Sequence, residues 1–273
     1  MTHREKAKLR YVRTLHFLAL WRWAEIEHIQ SLLRVGNAKA YRIVNRLITL
    51  GLVRRRKLLG TKYSLTPDGW SFLQELVPEI GRYADLYPSL WRGELPPHIL
   101  HETRVRLLAT KSISIPHSTY CKILTRTWGE DIALTIHRPD LVALTLRQGI
   151  YVIAVEYERK RKSTDKAARK LKSLYESMGE GGVFNGGYFV FERQADKRPY
   201  LRALNKLPPV MRRIIEERTN LVRGLKPPPK SFSKDTDFGK MLLHFIRMRE
   251  WKEWKEVETN PDAARWLSRR LKG

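Results

Sequence analysis

Turn-forming residues punctuate the N-terminal quarter of this chain in an order that few folds accommodate. Val35-Gly36-Asn37 can turn, because Gly and Asn both tolerate positive φ, and Asn37 can N-cap the next helix. Gly51 can end a helix, and Leu59-Gly60-Thr61 can reverse a strand. Thr66-Pro67-Asp68-Gly69 can open another helix, with Thr66 as N-cap and Pro67 at the first helical position. The segments between these marks have clear periods. Leu15, Leu18, Ala19, Trp21 and Trp23 fit a first helix over 10–22, and Ile26, Ile29, Leu32 and Leu33 a second over 24–33. A third helix over 37–50 turns Ala40, Ile43, Val44, Leu47 and Leu50 inward and Lys39, Arg42, Asn45, Arg46 and Thr49 outward. Leu52-Val53-Arg54-Arg55-Arg56-Lys57 and Lys62-Tyr63-Ser64-Leu65 then alternate as the two strands of a hairpin.

Two helices joined by a Gly turn, the second with a basic outer face, make a helix-turn-helix pattern. With the basic hairpin and the helix after it, the segment resembles the winged-helix DNA-binding domains of bacterial regulators. That resemblance implies that Lys39, Arg42, Asn45 and Arg46 face the major groove. It places Arg54, Arg55, Arg56 and Lys57 on a wing near phosphates or the minor groove, with Lys62 on the returning strand. The competing use of such a domain is protein contact, with the basic residues merely solvated.

Charge favours the nucleic acid. The 273 residues carry 53 Lys and Arg against 28 Asp and Glu, a formal net charge of +25. Residues 1–77 alone hold 15 basic and 5 acidic side chains. A hydrophobic content of 42%, with 8 Trp, 11 Tyr and 8 Phe, is too high for a disordered basic tail. A folded protein with a polyanionic partner is expected, most simply DNA or RNA, with double-stranded DNA the first choice. The single cysteine, Cys121, excludes an internal disulfide framework, and no base partner for it is visible in the sequence. No apolar run approaches the ~18 residues of a membrane span, and the N-terminus lacks the apolar core of a secretory signal. A cytoplasmic protein without membrane contact is expected.

Composition shifts suggest the domain plan. Residues 78–100 hold 2 basic and 3 acidic side chains among Pro78, Gly81, Pro88, Gly93, Pro96 and Pro97. Lys226-Pro227-Pro228-Pro229-Lys230 forms a second break, a short stiff spacer. The expected plan is a winged domain at 1–77, a linker at 78–97, an α/β domain at 98–224 and a proline-hinged basic helical arm at 225–273. In the arm, Met241, Leu242, Phe245, Met248 and Trp251 are helically spaced, and the arm either packs on the body or docks on DNA or a partner.

In the α/β stretch, a helix fits residues 99–109 and strands fit 131–136, 141–144, 150–160 and 186–191, with a polar helix over 163–178. Gly179, Gly181, Gly182, Gly186 and Gly187 are not followed by Gly-Lys-Ser/Thr, so no phosphate loop is implied. No His-x-x-x-His pair is present. The chemistry-bearing group is Pro139-Asp140 followed by Glu156, Glu158 and Lys160. In a strand, 156, 158 and 160 project from one face. Mg²⁺-assisted phosphodiester cleavage needs two or three carboxylates around the cation and a group to activate water. Asp140, then Glu156-x-Glu158 or Glu158-x-Lys160, with Glu102 on an upstream helix, has the layout of the PD-(D/E)xK nuclease fold, with Asp140, Glu156 and Glu158 as metal ligands. The opposing reading is that these acids pair with the adjacent Arg159, Lys160, Arg161 and Lys162.

A winged helix, His101 on a following helix, Pro139-Asp140, Val155-Glu156-Tyr157-Glu158 and then Lys170-Leu171-Lys172-Ser173-Leu174-Tyr175 together resemble the replication-relaxation family of plasmids and mobile elements. The resemblance covers roughly residues 10–190. It implies an α+β chain in which a winged helix precedes a restriction-endonuclease-like mixed sheet flanked by helices. It also implies a role in relaxation, replication or mobilisation of DNA, alongside a relaxase or replication protein. This sequence reads Glu-x-Glu followed by Arg159-Lys160-Arg161-Lys162, where the family more often has Glu-x-Asp and small polar residues. Three functions follow: a sequence-specific DNA-binding accessory protein, a Mg²⁺-dependent endonuclease or nickase, and a transcriptional regulator whose second domain dimerises or senses.

Overall fold

The computed structural model describes residues 2–94, 96–179, 182–222 and 231–270. The 226–230 spacer, Gly181 and the final Leu271-Lys272 lie outside the described residues. The chain is a mixed α+β protein, with two sheets among the described residues, one a two-stranded antiparallel hairpin and one of four strands with mixed pairing. It divides into two compact units. One is Met1–Ile113 together with His244–Gly273, the other Ser114–Leu243.

The first unit opens with α1 (His3–Trp21), started by a capping box in which Thr2 and Glu5 satisfy each other's backbone N–H. α2 (Ile26–Leu33) and α3 (Asn37–Thr49) follow. Gly36, not Asn37, occupies the N-cap of α3, while Ala40, Ile43, Val44 and Leu47 form its buried stripe. β1 (Val53–Lys57) pairs antiparallel with β2 (Thr61–Leu65), with Arg56 opposite Lys62. α4 (Pro67–Leu76) begins as the sequence suggests, with Thr66 Oγ1 accepting from Gly69 N at 2.9 Å.

The expected linker is packed. α5 (Pro78–Arg82) continues from α4, and Val77, Ile80, Leu86, Tyr87 and Trp91 are buried. α6 (Ile99–Ala109) belongs to this unit and buries Val105, Arg106 and Ala109. Pro and Gly signal turns, and turns occur inside a packed unit as readily as between units. Tyr87 is the centre of a buried polar chain. Its hydroxyl lies 3.0 Å from His16 Nε2 and 3.0 Å from His244 Nε2, and His244 Nδ1 lies 3.3 Å from Glu79.

The second unit is built on the sheet β3 (Ser114–Pro116), β4 (Leu141–Leu146), β5 (Ile150–Glu158) and β6 (Gly186–Phe191), in that spatial order. β5 and β6 are parallel, the other pairs antiparallel. α7 (His117–Trp128) and α8 (Glu130–Thr135) precede β4. The expected strand at 131–136 is therefore a helix. Gly129, at φ 94°, breaks the chain, and Glu130 and Asp131 fall in the first turn, where the helix dipole favours acids. α9 (Thr164–Met178), N-capped by Ser163, crosses over between β5 and β6. α10 (Arg198–Asn205) and α11 (Pro209–Arg218) complete this part of the chain. α12 (Asp237–Glu250) and α13 (Pro261–Arg270) make up the arm. From His244 the arm is part of the first unit, and Phe245, Trp251, Val257, Ala263 and Leu267 are buried. Among the described residues no helix is long and apolar enough to cross a membrane.

Candidate nucleic-acid interface

The outer face of α3 carries Arg42 and Asn45 in full exposure, with Lys39 and Arg46 half-buried. None of Lys39, Arg42 and Arg46 forms an ion pair among the described residues. Arg46 is engaged differently, since its Nη2 donates to the carbonyl of Arg270 at the end of α13. Positions 42 and 46 share one helix face, four residues apart.

The hairpin divides its basic residues by strand alternation. Arg55 and Lys57 point out and are exposed. Arg54 and Arg56 point to the other face and are held there. Arg54 donates to Ser64 Oγ at 3.2 Å and to the Trp91 carbonyl, and Arg56 donates to the Arg92 carbonyl at 2.9 Å. The Arg56 guanidinium also lies 5.8 Å from the centre of the Trp91 ring. Gly93, at φ 107°, permits this approach, because a Cβ there would sit 1.7 Å from Arg56 Nη1.

Lys62 is not on the surface at all. It is 1% exposed, pairs with Glu25, donates to the Leu59 carbonyl at 3.0 Å and lies 5.0 Å from the Trp23 ring centre. Arg106 stacks on the same indole at 3.8 Å and is buried. It is satisfied by Glu102 Oε2 at 2.5 Å and by the Glu102 and Trp21 carbonyls. Trp23 is thus flanked by two buried cations whose counterions are Glu25 and Glu102. The winged-helix resemblance places Lys62 on the returning strand of the wing, and only the packing of Glu25 and Trp23 shows that it is internal.

The acidic residues of the second unit form a separate, buried cluster. Glu156 and Glu158 project from one face of β5 and are 1% and 2% exposed. Lys170 of α9 pairs with Glu156 Oε2 and lies 2.7 Å from Glu158 Oε1. Lys162 Nζ lies 2.9 Å from the same Glu158 oxygen, and the Tyr200 hydroxyl donates to it at 2.5 Å. His137 Nε2 meets Glu156 Oε1, and its Nδ1 lies 3.2 Å from Ser173 Oγ. Burial pushes the Glu158 carboxyl up, but the Lys170 ammonium and the hydrogen bonds from Lys170, Tyr200 and Lys162 outweigh it and leave it below its ordinary value. Burial pushes the Lys170 ammonium down, yet Glu156 and Glu158 outweigh it and hold it well above the usual lysine range.

Of the other proposed members of the nuclease set, Asp140 borders this cluster. Burial raises the Tyr200 phenol, and the hydrogen bond to Glu158 and the charges of Glu158, Glu156 and Asp140 raise it further. Asp140 accepts from Tyr157 N at 2.7 Å, and its own N donates to the Val155 carbonyl, so it secures the start of β4 against β5. β5 ends at Glu158, which leaves Lys160 exposed beyond the strand. Glu102 belongs to the first unit and pairs with Arg106. Among the described residues no group of three His, Cys, Asp or Glu side chains is arranged to hold a metal ion. Mg²⁺ demands near-octahedral oxygen coordination. Here the Glu156 and Glu158 oxygens are already directed at two ammoniums, an imidazole and a phenol. The residues present do not fit a magnesium site.

The second unit also holds a cavity of about 400 Å³ lined by His117, Cys121, Thr125, Glu130, Ala133, Leu134 and Arg138. Cys121 Sγ lies 3.2 Å from His117 Nε2, one turn away on α7. The thiol therefore has an imidazole neighbour after all.

No family model, curated protein or solved structure matches this chain.

Proposed function

We propose that this chain is a sequence-specific double-stranded-DNA-binding protein of the winged-helix type. In this reading α3 enters the major groove and the β1–β2 hairpin lies along the backbone. The observation that carries the proposal is the outer face of α3. Arg42 and Asn45 stand exposed on a helix whose opposite face is fully apolar, and Lys39, Arg42 and Arg46 have no acidic partner among the described residues. Arg reads guanine and Asn reads adenine by paired hydrogen bonds in the major groove, each worth ~1–3 kcal/mol of discrimination. Arg55 and Lys57, exposed on β1, supply phosphate contacts.

The second unit serves in this proposal as a scaffold with a restriction-endonuclease-like sheet. The resemblance of the sequence to the replication-relaxation family supports an accessory role in relaxation, replication or mobilisation of a mobile element. The Lys170-paired state of Glu156 and Glu158 favours assembly over metal-dependent cleavage. The test is selection of bound duplexes from a random pool, followed by titration of the selected duplex with the Arg42→Ala and Asn45→Ala proteins. A preferred sequence that both substitutions flatten, by about tenfold or more at one or two base pairs, is the expected result. Retention of full preference in both variants would remove α3 from the groove. Absence of any selected sequence would remove the specific reading altogether.

A further inference from the structure

We propose that the end of α13 and the start of α1 extend the face of α3 into one phosphate-binding ridge, so that the arm adds duplex contacts outside the segment read by α3. This rests on the DNA-binding reading above. Two guanidiniums converge on the last turn of α13. Arg46 of α3 donates to the Arg270 carbonyl, and Arg4 of α1 donates to the Ser268 carbonyl at 2.9 Å. The final carbonyls of a helix lack intrahelical partners and carry its negative dipole end, so these cations both satisfy and neutralise it.

The inner side of α13 is committed to packing. Ala263 and Leu267 are buried, and Trp266 meets Phe72 with ring centres 4.8 Å apart. The outer side ends in Arg269 and Arg270, both exposed. Arg4, Arg42, Arg46, Arg269 and Arg270 are thus five cations on three connected elements, and none forms an ion pair among the described residues. Capping a carbonyl uses one N–H of a guanidinium and leaves its charge and its other donors available. Charge of one sign without a carboxylate is costly to gather, and a regularly charged polyanion relieves it. A protein partner would call for an apolar centre. Here Trp266, 36% exposed, is partly covered by Phe72 and by the Arg270 guanidinium 5.8 Å from its centre.

The experiment titrates the full chain with a 40-base-pair duplex carrying the selected sequence, and with a scrambled duplex of the same length, over a range of salt. Arg269→Ala/Arg270→Ala is expected to weaken both duplexes alike. It should reduce the slope of log K against log salt by about 1.8, two contacts at ~0.9 each, and leave the ratio between duplexes unchanged. Arg269→Lys/Arg270→Lys should restore most of the slope, and Arg4→Ala alone should remove about 0.9. Circular dichroism reports whether each variant keeps its fold. An unchanged slope in the double alanine protein, with wild-type binding intact, overturns the ridge while sparing α3. If that variant instead loses binding only to a polyglutamate probe, the ridge is a protein-docking surface and the proposal is wrong. Failure of the wild-type chain to bind either duplex overturns the DNA reading and the ridge with it.

Discussion

The ammonium of Lys170 lies 2.7 Å from the carboxylate of Glu158 and reaches Glu156 with the same nitrogen. The two carboxylates are nearly inaccessible, and two buried like charges on one strand face require a cation between them. Lys170 supplies it from α9, on the stripe that also buries Ala167, Leu171 and Leu174.

Among the described residues, removing that cation should leave Glu156 with only the His137 imidazole and Glu158 with only Lys162 and Tyr200, both carboxylates still desolvated. Lys170→Met is expected to destabilise the protein by about 3–5 kcal/mol, the cost of breaking a buried pair from one side. Urea unfolding measures it. Combining Lys170→Met with Glu158→Gln should cost less than the sum of the single changes, because the second change removes a charge the first has stranded. A loss below about 1 kcal/mol in the single variant would show that the cluster is open to solvent.

The hairpin predicts a split within one run of arginines. Arg55→Ala and Lys57→Ala should each lower the salt slope of duplex binding by about 0.9, because both side chains are exposed. Arg54→Ala and Arg56→Ala should instead lower stability, since these two guanidiniums are tied to the carbonyls of Trp91 and Arg92. Lys62→Met should behave like the second pair, stranding Glu25. Equal salt-slope effects across all five would mean that the 91–92 segment is displaced when DNA binds.

Acid should unfold the protein through its histidines well before its carboxylates. Burial pushes His16 down to about 3 and His28 to about 4. His28 Nδ1 accepts from Glu25 N at 2.8 Å, and its Nε2 lies 3.0 Å from the Thr103 carbonyl, so protonation would break the start of α2. A histidine whose folded value is depressed adds stability above its unfolded value of ~6.5, and this is lost as pH falls toward the folded value. Each of the two should therefore contribute a loss of about 1.4 kcal/mol per pH unit between roughly pH 6 and pH 4. Glu158, held below its ordinary value, adds a second loss below about pH 4.3. Chemical denaturation from pH 7 to pH 4 checks the first window, and His28→Asn should reduce its slope. A stability that stays flat down to pH 4.5 would contradict the buried, neutral state of these rings.

Local signals in the sequence were sufficient for local structure. Gly51, Gly60 and Thr66-Pro67 punctuate the chain where α3 ends, the hairpin turns and α4 begins, because each acts through its own φ or cap. The turn before α3 instead takes its left-handed residue at Arg34, φ 52°, with Gly36 at φ −70°. What depends on tertiary packing was less legible. By resemblance Lys62 belongs to the wing, but it is folded under Glu25, and Glu102 pairs with Arg106, which stacks on Trp23. Lys170 is the exception that local pattern can reach, since a lysine on the apolar stripe of an amphipathic helix points to a buried acid. His137 and Tyr200 carried no such mark, because a His before Pro139 and a Tyr in a short helix fit a surface equally well. The strand expected at 131–136 failed for a local reason, the two acids after Gly129 that favour a helix start.

Cys121 offers the last test, because a thiol 3.2 Å from an imidazole can be an activated ion pair or an inert neutral contact. Here burial pushes the Cys121 thiol above its ordinary value, and Arg138 only partly offsets it. Burial, with Arg138 and His137, pushes the His117 imidazole down to about 4. At pH 7 both partners are therefore neutral, and the pair holds no thiolate. Alkylation of Cys121 by iodoacetamide should be slow at neutral pH and should climb tenfold per unit as pH rises toward 9, because only the thiolate reacts. His117→Ala should leave that profile largely in place, since a neutral imidazole does not hold the thiolate. A rate that is already high and flat from pH 5 to 8, and that collapses in His117→Ala, would instead reveal a thiolate–imidazolium pair in the cavity beside Arg138.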